Sequence, residues 1–187
     1  PKALPLSPRQ LSLYSRYVRI AADEPRQTLG VLISLLMLSD HPALVSRSEL
    51  TMRNVNDLIE ESPKLSQTIE WLRDIQKKGE KVLIFTRLKR MQMILQLTIE
   101  DQFGSGIVAG ILNGDTPVAG RKKKIQHFER TEGFSVLILS PDVAGMGLNI
   151  VAANHVIHYT RLWNPAKESQ ATDRVYRIGQ TKDVTVY

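Results

Sequence analysis

The 187-residue chain contains no cysteine. That removes a disulfide framework, a thiolate zinc site and a cysteine nucleophile together, and no metal site is expected. Long apolar runs are missing too. The longest, Leu29 to Leu38, is about half of the ~20 residues a membrane-spanning helix needs, so it reads as a core helix and no membrane partner is expected. The segment Pro1 to Leu6 lacks the basic, apolar and cleavage regions of a secretory signal, and it opens mid-phrase, as a piece of a longer chain would. The compartment stays open, with cytoplasm favoured. Internal repeats and low-complexity tracts are absent. So is a phosphate-cradling Gly-x-x-x-x-Gly-Lys-Ser/Thr loop: the nearest string, Gly114 to Gly120-Arg121, has one residue too many between its glycines and no hydroxyl after the base. Asp23-Glu24 resembles a metal-binding acid pair, but it follows no buried strand and precedes a helix-starting proline.

What is present is enough apolar residue, 42%, to build one domain with a sizeable core and an appendage. A net charge of +6 makes the surface attractive to polyanions, with nucleic acid the leading partner class. Ser7-Pro8-Arg9-Gln10 combines a capping hydroxyl, a proline at the first helical position and Gln three residues on, which predicts a helix to about Ile20. Pro25 opens a second, with Leu29, Leu32, Ile33 and Leu36 on one face and His41-Pro42 just beyond its end. Residues 43–61 read as polar and irregular. A third helix fits Ser62 to Lys78, stopped by Gly79.

From Lys81 the texture changes to short apolar runs at Val82 to Phe85, Ile107 to Leu112, Val136 to Leu139, Val156 to Tyr159 and Val184 to Tyr187, mostly separated by helical segments. Continuous apolar strands imply burial on both faces, hence an α/β fold with a mainly parallel sheet. The change divides the chain into a helical lead-in, 1–79, and an α/β lobe, 80–187. In such sheets ligands gather beyond the carboxyl ends of the strands. The junctions there are Thr86-Arg87, Asn113-Gly114-Asp115-Thr116 before the basic run Arg121 to Lys124, Ser140 to Asn149, and Trp163 to Gln180. In the last, Asn164 and Pro165 start a helix that puts Gln170, Arg174 and Arg177 on one face and Ala171, Val175 and Ile178 on the other. Two rigidly mounted guanidiniums, with Asp173 able to orient one, suit phosphate. The pattern alone also admits two surface arginines in a salt bridge.

Arg174-Val-Tyr-Arg177-Ile-Gly-Gln180-Thr-Lys, with Gln170 and Trp163-Asn-Pro165 before it, resembles motif VI of Swi/Snf-type remodelling ATPases of helicase superfamily two. Ser140 to Asn149 resembles motif V, Lys81 to Arg87 motif IV, and Asp40-His41-Pro42 with Pro63-Lys64-Leu65 the helical lead-in. The likeness spans nearly the whole chain. It implies the second RecA-like lobe of a DNA-dependent ATPase, with Arg174 and Arg177 as arginine fingers on ATP and Mg2+ bound mainly by an amino-terminal RecA-like lobe. Gln170, Gly145 and Gly147 would face that cleft. Thr86, Asn113, Gly114, Thr116 and Ser140 would line a groove for the double-stranded DNA backbone, and Trp163 would couple the two surfaces or pack in the core. A nucleoprotein complex or RNA polymerase is the kind of load implied. The location would be cytoplasmic and nucleoid-associated in a bacterium, nuclear in a eukaryote.

Departures from the family pattern fall at Pro141-Asp142, where an acid replaces a base near the expected DNA path, and at Thr160 and Leu162, where relatives carry acids. The run Arg121 to Lys124 sits near a helix start, where the helix dipole disfavours cations; it reads as a solvated face or a phosphate contact. Gly145-Met-Gly147 after a strand raises a dinucleotide-binding oxidoreductase, which fails because Ile150 replaces the third glycine and no acid ends the next strand. A non-catalytic adaptor keeping the lobe's fold is the remaining alternative.

Overall fold

A computed structural model describes residues 4–45, 54–144, 148, 150–160 and 184–187. The chain divides into two compact units, Pro1–Glu70 and Trp71–Tyr187.

In the first unit, helix α1 (Pro8–Asp23) starts as its sequence dictates: Ser7 Oγ accepts from Gln10 N at 3.1 Å, and Ser7 N donates to Gln10 Oε1 at 3.1 Å. The buried Gln10 also donates to the Leu38 carbonyl at 2.8 Å, on α2 (Thr28–Asp40). A single 3-10 turn, Pro25–Gln27, leads into α2. At the end of α2, Asp40 is buried and accepts from Lys64 Nζ at 2.6 Å. His41 is fully buried, and its ring caps the turn Pro42–Leu44: Nδ1 accepts from Ala43 N at 3.0 Å, so Nε2 carries the proton and donates to Leu58 O at 2.8 Å.

The stretch expected to be irregular contains a short helix, α3 (Val55–Glu60), capped by Asn54. Six residues make under two turns, too few to show a period, and the helix is held by its cap and by fully buried Leu58. The apolar stretch of α2 is not a core helix throughout, since Leu29, Leu32, Ile33 and Leu36 are 72%, 52%, 50% and 59% exposed while Val31 and Leu38 are buried. A helix apolar on every side gives no periodicity from which to read the buried face, and packing on α1 selects the other one.

Helix α4 (Pro63–Lys78) buries Leu65, Ile69, Leu72 and Ile75. Gly79 ends it at φ 65°, its N–H bonding Gln76 O at 2.9 Å and that of Glu80 reaching Ile75 O at 3.3 Å. This is the paired closure that glycine permits because no Cβ opposes the left-handed turn.

The second unit is a five-stranded sheet of β1 (Lys81–Phe85), β2 (Val108–Leu112), β3 (Ser135–Leu139), β4 (His155–His158) and β5 (Thr185–Val186), parallel throughout, in the order β2-β3-β1-β4-β5. The β1-to-β2 connection runs one way across the sheet through α5 (Lys89–Phe103), and the next two run the other way, through α6 (Val118–Arg130) and then the short α7 (Pro141–Ala144). Right-handed crossovers therefore place α5 on one face and α6 on the other. The core agrees: Leu83, Phe85, Leu137, Leu139 and Val156 pack with Ile125 and Phe128 of α6 and with Val143, Ile150 and Ala153. The alternate residues Val82, Ile84, Val136 and Ile138 are equally buried, and α5 contributes Met91, Ile94, Leu95 and Ile99 to the buried set. At the β4–β5 side, His155 Nε2 bonds Glu80 at 2.6 Å, and burial, with the Glu80 and Asp74 carboxylates nearby, pushes the Tyr187 phenol above its ordinary pKa. Among the described residues no helix is long and apolar enough to cross a membrane.

Candidate nucleic-acid interface at the carboxyl edge of the sheet

Because every strand runs the same way, the residues after β1, β2, β3 and β4 emerge along one edge. Thr86 N continues the ladder to Leu139 O at 3.0 Å, Ser140 N to Leu112 O at 2.8 Å, and Thr160 N to Phe85 O at 3.3 Å. The fold thus brings Thr86, Asn113, Gly114, Thr116 and Ser140 together, as their positions after the strands led us to expect. Gly145, Gly147, Trp163, Gln170, Arg174 and Arg177 lie outside the described residues.

The members of this edge differ in what they offer a partner. Thr86 is fully buried, its Oγ1 2.8 Å from Thr160 Oγ1, so its hydroxyl is satisfied inside the protein. The departure at position 160 has a local reason, for it supplies this hydroxyl pair. Asn113 to Thr116 form a closed turn: Asp115 N donates to Asn113 Oδ1 at 3.0 Å, Thr116 N to Asn113 O at 3.0 Å, and Asn113 N to Thr116 Oγ1 at 3.2 Å. Thr116 is buried, while Gly114 and Asp115 are exposed at the tip. A Cβ on Gly114 would meet nothing within 4 Å, and its φ is not positive, so neither internal space nor backbone geometry demands glycine there. Ser140, 7% exposed, precedes α7 with its carbonyl accepting from Val143 N at 3.1 Å. Pro141 and Asp142 hold the first positions of that helix, the places where proline and an acid favour a helix start. The acid that departs from the family pattern therefore serves local structure.

The basic run divides. Arg121 Nε donates to Thr116 O at 2.8 Å and Lys124 Nζ to Ile111 O at 3.0 Å. Lys124 lies across Gly110, where a Cβ would stand 2.7 Å from its Cδ. Lys122 and Lys123 are exposed on α6. Lys89, at the start of α5, pairs with Asp115 at 2.6 Å between two well-exposed side chains, a contact worth at most about 1 kcal/mol.

One residue at this edge escaped sequence reasoning. Gln92 is 1% exposed; its Nε2 donates to Thr86 O at 3.0 Å and its Oε1 accepts from Asn113 Nδ2 at 2.9 Å. The signal was its place between Met91 and Ile94 on the core side of an apolar helix, where a polar side chain needs partners.

The profile of the family described as "Helicase conserved C-terminal domain" matches residues 63–179. The chain is 45% identical over 165 residues to the Zorya protein ZorD of Escherichia coli, covering 85% of this chain and 14% of that protein. It is 39% identical over 193 residues to the putative ATP-dependent helicase/translocase YwqA of Bacillus subtilis, covering 98% of this chain and 20% of that one. It thus spans a fifth or less of these curated relatives. Among solved structures, the Sulfolobus solfataricus SWI2/SNF2 ATPase core in complex with dsDNA superimposes with a TM-score of 0.76 at 32% identity, over 97% of this chain and 38% of that one. The parallel sheet, the junctions along its carboxyl edge and these likenesses make the chain a member of the helicase conserved C-terminal domain family, as the carboxy-terminal RecA-like lobe of a Swi2/Snf2-type ATPase core.

Proposed function

We propose that this lobe works as half of a DNA-dependent, ATP-hydrolysing translocase whose other half is an amino-terminal P-loop lobe. The observation that carries the reading is the family match combined with the run Gln170 to Gln180: a chain without a phosphate-cradling loop nevertheless carries Arg174 and Arg177 at a spacing that would set both on one face of a helix. ATP with Mg2+, held mainly by the partner lobe, supplies the phosphoryl group. Arg174 and Arg177 present planar donor forks to its oxygens when the lobes close, with Gln170 beside them and Gly145 and Gly147 shaping the adjoining turn. Trp163 links that cleft to the DNA edge. At the edge, the tip at Gly114 and the neighbouring Asn113, Thr116 and Ser140 form the floor of a groove for duplex DNA backbone, with Thr86 beneath as support. The solved SWI2/SNF2 core bound to dsDNA supports this reading. A nucleoprotein complex or a polymerase would be the load.

In the two-lobed protein, Arg177→Ala should reduce ATP turnover on the order of 10³-fold or more, while the thermal melt and DNA affinity stay near wild type. Arg177→Lys should rescue poorly, because a point charge lacks the fork. The chain by itself should hydrolyse no ATP, with or without DNA. Wild-type turnover in Arg177→Ala would overturn the arginine-finger assignment, and ATPase activity indifferent to changing both Arg174 and Arg177 to Ala would favour a non-catalytic adaptor lobe.

A further inference from the structure

We infer that Gln92 is a positioning residue that orients Asn113 for DNA, an assignment resting on the groove proposed above. Burying a primary amide without partners costs about 1–3 kcal/mol, so its presence on the core side of α5 needs an explanation. Both ends of the amide are engaged, and in only one sense. The Thr86 carbonyl can only accept, which makes the group facing it at 3.0 Å the Gln92 NH2. The Gln92 oxygen then faces Asn113 at 2.9 Å, and the group it accepts from is the Asn113 NH2. That leaves the Asn113 oxygen toward Asp115 N at 3.0 Å, a backbone N–H that can only donate. A backbone carbonyl at one end and a backbone N–H at the other thus fix both side-chain amides between them.

The linkage joins places that the sheet does not join directly, since β3 lies between β1 and β2. Through it, the turn that exposes Gly114 is tied to the end of β1. Thr86 has no free hydroxyl to offer, so the influence of β1 on the groove passes through its carbonyl and Gln92 rather than through direct contact. A turn whose side-chain orientation is set in advance binds a phosphate backbone without first having to be ordered.

The test is DNA-stimulated ATP turnover of the two-lobed protein titrated with duplex DNA. Gln92→Met, of similar length but without hydrogen bonding, should raise the DNA concentration for half-maximal stimulation on the order of fivefold, with kcat at saturating DNA within about twofold of wild type. Adding it to Asn113→Ala should change nothing further, because Gln92 acts through Asn113. Gln92→Glu should hold the half-saturation within about twofold of wild type even with a lower Tm, because its carboxylate still accepts from Asn113 although it opposes the Thr86 carbonyl. Additive effects, a folded Gln92→Met with wild-type half-saturation, or a Gln92→Glu that loses DNA response as fully as Met would each overturn the inference. If Gln92→Met does not fold, the Glu variant still decides: retained half-saturation supports the inference and a lost DNA response overturns it. A silent Asn113→Ala would sink the groove itself, separating that failure from failure of the Gln92 assignment.

Discussion

Gly114 sits in a closed turn where, among the described residues, nothing lies within 4 Å of where its Cβ would be, so its absence of a side chain matters to something beyond them or not at all. Gly114→Ala should leave the melt unchanged or slightly raised, by up to about 1 kcal/mol through a less flexible unfolded state. If duplex DNA approaches this backbone, the same change should weaken binding several-fold in a direct titration; unaltered affinity would remove the tip from the groove. The place of Asn113, Gly114, Thr116 and Ser140 at the carboxyl edge was legible because the apolar runs before them mark the strand ends. The inward turn of the Thr86 hydroxyl depends on Thr160, 74 positions later in the chain, and the role of Gln92 depends on Asn113. Neither partner is a sequence neighbour, so no local pattern could have announced them.

Capping chemistry made the elements readable wherever it was local. The Ser7–Gln10 box and the Gly79 closure appear as residue types at fixed offsets, and the structure contains both. Helix α2 shows the opposite case, because thirteen residues apolar on every side contain no information about which face is buried. The two faces should respond differently to substitution. Leu38→Ala, at a site 1% exposed, should cost about 2–5 kcal/mol, whereas Leu32→Gln, at a site 52% exposed, should stay within about 0.5 kcal/mol by thermal or denaturant melting. A large loss from Leu32→Gln would return that face to the core. Helix α3 was missed because its caps, Asn54 and the neighbouring turn, sit in a polar stretch too short for a period to emerge.

At the scale of the whole chain, the +6 charge and the proposed phosphate-facing edge predict DNA binding that is weak, indifferent to sequence and steeply reduced between low and moderate salt, measurable by anisotropy titration. A flat salt response, or preference for one sequence, would count against a backbone groove. All four cations of the basic run add to that field, but Arg121 and Lys124 direct N–H groups to carbonyls of their own unit while Lys122 and Lys123 remain exposed. By itself the sequence determined the α/β class, the parallel sheet, the strand positions and the family, because each is written in local periodicity, in apolar runs buried on two faces, and in a contiguous signature around Arg174 and Arg177. Only the tertiary structure decided which polar groups at the sheet edge are exposed and which face one another. The reason is physical: a hydrogen bond is satisfied by whichever group folding brings within about 3 Å, and strand order, with β3 set between β1 and β2, places groups far apart in sequence at that distance.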